Sequence, residues 1–156
     1  AGRREALSEA DSLREAVRVL RIELRIVNDR VAMAAGLNPR DLDILDVIDR
    51  DGPCTPSHLS ERTGYHRATL TGILSRLVKD GWLIRDSNPE DGRSARLTPS
   101  DRLAELRKIY APVDAASSEL ATSLSSCDRE RIAEVLHEVA AIARRASSDI
   151  MPPEGH

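Results

Sequence analysis

At 156 residues, 40% of them hydrophobic and 31% charged, the chain has the size and balance of one small globular domain. An aromatic content of 2% with no Phe excludes the stacking platforms of single-strand nucleic-acid binders and leaves the core to Leu, Ile, Val and Ala. The net charge of −3 argues against a generally polyanion-binding surface, yet residues 57–98 carry seven Lys/Arg against five Asp/Glu, so positive potential is confined to that stretch.

The N-terminal "AGRREALSEAD" lacks the apolar core of a signal peptide, and charges interrupt every apolar run before it could span a bilayer. A cytoplasmic address with no membrane partner is the expectation. From Leu13, the positions Leu13, Val17, Leu20, Leu24, Val27 and Val31 alternate steps of four and three, which predicts a long amphipathic helix over about residues 8–34. "GLNPRD" breaks it, and Leu42, Leu45 and Ile48 mark a shorter second helix closed by "RDGP". Thr55 as N-cap with Pro56 at the first helical position starts a third helix, ending at Gly64. Leu70, Ile73, Leu74, Leu77 and Val78 then fit the full helical template over 66–80, with Gly81 as C-cap. "WLIR" (82–85) and "RSARL" (93–97) read as two strands of a hairpin around "DSNPEDG". Thr98 or Ser100 caps a helix through Leu103, Leu106, Tyr110, Val113, Leu120 and Leu124 that bends near Pro112, and a last helix covers about 128–148.

The helices over 56–63 and 66–80 with their tight turn form a helix-turn-helix, and the hairpin adds a wing. A recognition helix in the major groove offers its N-terminal side chains to base edges, so polar or basic residues belong there: His66, Arg67, Thr69 and Thr71. Arg76, further along, is positioned for a phosphate. Arg93 on the wing suits a narrow minor groove, with Asp91 orienting it. The fold class is therefore mainly α: residues 37–98 form a winged helix-turn-helix module, flanked by an N-terminal dimerisation helix (1–36) and by C-terminal dimerisation helices and tail (99–156), in one compact domain. The flanking apolar stripes exceed what one small module covers, so a second copy is expected to bury Leu13, Val17, Leu20 and Ile142. Two-fold symmetry would set the recognition helices about 34–36 Å apart, on a pseudopalindromic double-stranded site.

The run "HLSERTGYHRATLTGILSRLVKDGWLIRDSNPEDGRSARLTP" and the order of elements resemble the multiple antibiotic resistance regulator (MarR) family over nearly the whole chain. The Asp-x-Arg wing motif followed by Leu-Thr is the most specific mark. The resemblance implies a homodimeric transcription factor, usually a repressor, released from its operator by a small, commonly phenolic or anionic effector. It maps base contacts onto His66, Arg67, Thr69 and Thr71 and the wing contact onto Arg93. It also implies an effector pocket between DNA module and dimer helices, with Arg30, Met33, Leu45 and Tyr110 as candidates. Two departures stand out: the run from Arg93 to Leu97-Thr98 is shorter than the family often has, and Asp101 stands where a Gly is common. A short wing follows, with Arg96 sharing the task of Arg93.

Catalysis is not expected, because His58, His66, His137 and His156 fall on separate elements and no GxSxG, HExxH, P-loop or GxGxxG occurs. No cofactor is implied. Cys54, Cys127, His58 and His137 lack metal-ligand spacing. The alternatives to a DNA-binding regulator are a helical protein-protein scaffold and a thiol redox sensor acting through Cys54, which lies near a helix start. Redox-sensing members of the family carry a cysteine in the first helix, and residues 1–36 contain none.

Overall fold

The chain builds six helices and one two-stranded sheet among the residues that the computed structural model describes, 2–87, 90 and 92–150, with side chains described from residue 8 onward. Helix α1 (Gly2–Ala35) begins ahead of the predicted residue 8. Its first turns are rich in Arg, Glu and Ala, which favour helix by propensity without contributing to the apolar stripe. Helix α2 (Pro39–Asp51) starts on a capping box: Asn38 Oδ1 accepts from the Asp41 N–H at 3.0 Å while Asp41 Oδ2 accepts from the Asn38 N–H at 3.3 Å. Helix α3 (Pro56–Thr63) opens on Thr55, whose hydroxyl accepts from the His58 N–H. Gly64 closes α3 at φ 72°, a left-handed conformation that disfavours a side chain, and so creates the tight turn into α4 (Arg67–Lys79).

Strands β1 (Leu83–Ser87) and β2 (Ala95–Pro99) pair antiparallel with Arg85 opposite Leu97 and Asp86 opposite Arg96. Both lie later than predicted. The register follows from Leu97, which is fully buried and exchanges two backbone hydrogen bonds with Cys54, so that residue 54 flanks β2 on the side away from β1. Arg93 consequently belongs to the tip turn and not to a strand. Helix α5 (Leu103–Ser123) is helical on both sides of Pro112. Helix α6 (Ser126–Asp149) starts on Ser125, which accepts from the Asp128 N–H.

The chain divides into two compact units, residues 1–109 and 110–156. In the first, the end of α1 packs on α2 through Val31 and Ala32, and α2, α3, α4 and the sheet enclose Leu42, Ile44, Leu45, Ile48, Leu59, Leu70, Leu74, Leu77, Trp82 and Leu97. Each such side chain stabilises the fold by about 1.5–3 kcal/mol relative to exposure. The chain turns from the wing into α5 on Ser100, whose hydroxyl donates to the Gly81 carbonyl at 2.6 Å, and on Arg102, whose guanidinium stacks 4.1 Å from the Trp82 ring centroid. In the second unit no residue of α6 is buried, and Leu120, Ile132, Leu136 and Ile142 are exposed.

Candidate nucleic-acid interface

Helix α4 buries Leu70, Ile73, Leu74 and Leu77, which leaves a complementary outward stripe of Ala68, Thr71, Gly72 and Ser75. These are small residues, so the helix backbone can approach another surface closely. Ala68, Gly72 and Ser75 were missed at the sequence level, although they are simply the positions opposite the apolar template. The turn before α4 is held rigidly: Ser60 Oγ donates to the Tyr65 carbonyl, the Tyr65 N–H donates to Thr63 Oγ1, and the Tyr65 hydroxyl donates to Asp43 Oδ2 at 2.8 Å. Burial and the Asp43 hydrogen bond push the Tyr65 phenol up to about 12, so it stays a donor at any physiological pH.

Of the expected DNA-reading residues, His66 is the N-cap of α4 and exposed, with no side-chain capping bond. Arg67 is exposed and its Nη2 donates to Ser57 Oγ at 3.3 Å, which draws it toward α3. The Thr71 hydroxyl turns back onto the Arg67 carbonyl at 2.8 Å. Thr69 lies on the other flank, where α4 faces the N-terminus of α2. Arg93 is exposed at the wing tip and Arg96 half-buried on β2, while Asp91 lies outside the described residues.

Arg76 has a different environment from the one expected. It ion-pairs with Asp41, the one buried charged residue among the described residues, and so ties α4 to the capping box of α2. Hydrogen bonding to Asp41 is also the main cause that raises the Arg76 guanidinium above its ordinary value. The guanidinium is therefore engaged within the protein, although about half of the side chain remains exposed.

The candidate effector residues have different environments. Leu45 is sealed in the core with 1% exposure and Met33 stands out at 79%. Arg30 is exposed on α1, and Tyr110 is half-buried at the start of the second unit. Leu45 faces the core because α2 turns its Leu42, Leu45 and Ile48 stripe inward.

Cys54 is buried, its thiol donating to the Gly52 carbonyl at 2.9 Å, and burial followed by the Asp51 charge pushes the thiol up. That is the reverse of the activation expected from a helix start. Cys127 is exposed and both cysteines are free. His58 is a surface residue whose Nε2 lies 3.1 Å from Asp51 Oδ2. Among the described residues no group of three or more His, Cys, Asp or Glu is arranged to hold a metal ion, and no helix is long and apolar enough to cross a membrane.

Leu13, Leu20 and Leu24 of α1 are exposed, and Val17 is half-buried. A second apolar stripe, Val19, Ile22, Ile26 and Met33, lies on nearly the opposite side of the same helix and is exposed too. The first stripe masked it at the sequence level, because a single periodic template accounts for one face only.

Residues 35–94 match the MarR family. The YcgE protein of Bacillus subtilis (strain 168), described as an uncharacterised HTH-type transcriptional regulator, is 26% identical over 108 residues, covering 69% of this chain and 70% of that protein. Among solved structures, the transcriptional regulator Tm0710 from Thermotoga maritima superposes with a TM-score of 0.63 at 25% identity, covering 88% of this chain and 98% of that one. A cysteine-to-serine mutant of MarR from E. coli, complexed with operator DNA, superposes with a TM-score of 0.55 at 20% identity, covering 84% and 95%.

Proposed function

We propose that this chain, whose residues 35–94 match the MarR family inside a MarR-like fold, is a winged helix-turn-helix, DNA-binding transcriptional regulator of that family and acts as a homodimeric repressor released by a small effector. The observation that carries the dimer is the apolar surface left open in one protomer. Leu13 at 53%, Leu24 at 50% and Ile142 at 57% exposure are costly in water, and two opposed apolar faces on α1 call for cover on both sides. A dimer also presents two recognition helices, which suits a pseudopalindromic operator with half-sites one turn apart. The operator complex of the E. coli relative supports the DNA arm of the reading. His66, Arg67, Thr69 and Thr71 read bases, while Arg93 and Arg96 contact the backbone or minor groove from the wing. A phenolic or anionic effector is supported by the family likeness, and the bacterial cytoplasm is where such a regulator works. The buried, deactivated Cys54 speaks against the thiol-sensor alternative.

The test combines sedimentation with selection. At low micromolar concentration the protein should sediment as one species near twice 17.1 kDa, and from a random-sequence duplex library it should enrich an inverted repeat. A monomer that enriches no sequence would return the chain to the scaffold reading.

A further inference from the structure

Beside the recognition helix runs a groove of about 550 Å³ whose walls are Asn38, Pro39 and Arg40 at the start of α2 and Ala68, Thr69, Gly72, Ile73 and Arg76 along α4. Two guanidiniums border it, and their situations differ. Arg76 is paired with Asp41. Arg40 is exposed and, among the described residues, makes no ion pair; it is braced instead against the face of Tyr65, with its guanidinium carbon 5.6 Å from the ring centroid. Tyr65 is itself fixed through its hydroxyl to Asp43. Arg40 thus stands as a positive group held in place by an aromatic plate.

Resting on the DNA-binding reading above, we infer that this groove takes one sugar-phosphate strand of the bound duplex, with Arg40 as its phosphate contact and Tyr65 as the residue that positions Arg40. An α-helix with its side chains is about 10–12 Å across and the major groove about 12 Å wide, so a helix seated there has a phosphate strand along each flank. One flank of α4 is this groove. Ala68, Thr69 and Gly72 on its α4 wall are small, and a Cβ added at Gly72 would meet nothing within 4 Å, so the strand can lie close to that stretch of the helix backbone. Contact at Arg40 sets how deeply and at what angle α4 enters, and so acts on register without reading a base.

The test measures affinity against salt for the duplex that the wild-type protein selects from a random library, and for an unselected duplex of the same length. Arg40→Ala should fold and dimerise as wild type, since the side chain is exposed. It should bind both duplexes about tenfold more weakly, with the slope of log K on log salt shallower by about 0.9 for each half-site. Arg40→Lys should restore most of the slope, because the charge returns without the planar stacking group. Tyr65→Leu should fall between wild type and Arg40→Ala. If wild type selects a sequence but Arg40→Ala keeps its affinity and slope, the groove assignment is overturned and the DNA-binding reading stands. If wild type selects no sequence, both fall.

Discussion

The two partners of the Asp41–Arg76 pair should tolerate replacement unequally, because the pair is buried on one side only. The Asp41 side chain is 3% exposed and that of Arg76 46%. Asp41→Asn retains an acceptor for the Asn38 N–H, so the capping box survives, and Arg76 rehydrates through its open half. The expected loss is that of a screened ion pair, about 1 kcal/mol or less. Arg76→Met keeps the aliphatic length but strands a carboxylate inside the protein. Breaking a buried pair in this way costs about 3–5 kcal/mol, and the remaining bond from the Asn38 N–H brings the expected loss to about 2–3 kcal/mol. At about 2–4 °C per kcal/mol for a chain of this length, and with losses that differ by about 1–3 kcal/mol, the methionine variant should melt about 2–12 °C below the asparagine variant. Thermal and urea unfolding followed by far-UV circular dichroism at pH 7 reads this directly, at fixed protomer concentration because association would shift both transitions. The double variant should recover part of the methionine loss, since it removes the stranded charge. Equal losses, or an asparagine variant that melts lower, would refute the argument from one-sided burial.

Asp46 offers a change in the opposite direction. Desolvation, then Asp43 and Asp49, raise its carboxyl to about 6 from an ordinary 3.8, so at neutral pH the folded state holds a charge that the unfolded state carries more easily. Its partial exposure to solvent limits the effect. Asp46→Asn should therefore stabilise the protein by about 1 kcal/mol or less at pH 7. The gain should be full above about pH 6 and vanish as pH falls to about 4, as urea midpoints across that range would record. A variant less stable than wild type at pH 7 contradicts it. For the cysteines, a chromogenic disulfide reagent should label Cys127 within seconds and Cys54 only on unfolding, since Cys54 is buried with a raised thiol; rapid labelling of both would reopen the redox alternative. On DNA, Arg67→Ala should cost about 1–3 kcal/mol and relax preference at one position of each half-site. Arg93→Ala should instead weaken all duplexes and flatten the salt slope by about 1 per half-site, and an unchanged slope would mean that the short wing does not reach DNA.

What could be read from the chain alone was whatever depends on neighbours a few residues apart. The Thr55-Pro56 start, the glycine at 64 and the stripe Leu70, Ile73, Leu74, Leu77 each encode a local geometry, because caps, left-handed turns and helical periods are decided within one or two turns of backbone. Those signals place the helix-turn-helix and the recognition helix without any long-range information. Other features depend on segments remote in sequence. The strands begin and end where they do because Leu97 meets Cys54, which no hairpin periodicity contains. Arg76 reads as one more basic residue on an exposed face until α4 comes against α2 and supplies Asp41, thirty-five positions earlier. Arg40 carries no motif at all, and becomes notable only when the fold stacks it on Tyr65 at the rim of a groove along the recognition helix. Pairwise electrostatics and ring contacts act over a few ångströms in space, and only the tertiary structure determines which residues come within that distance.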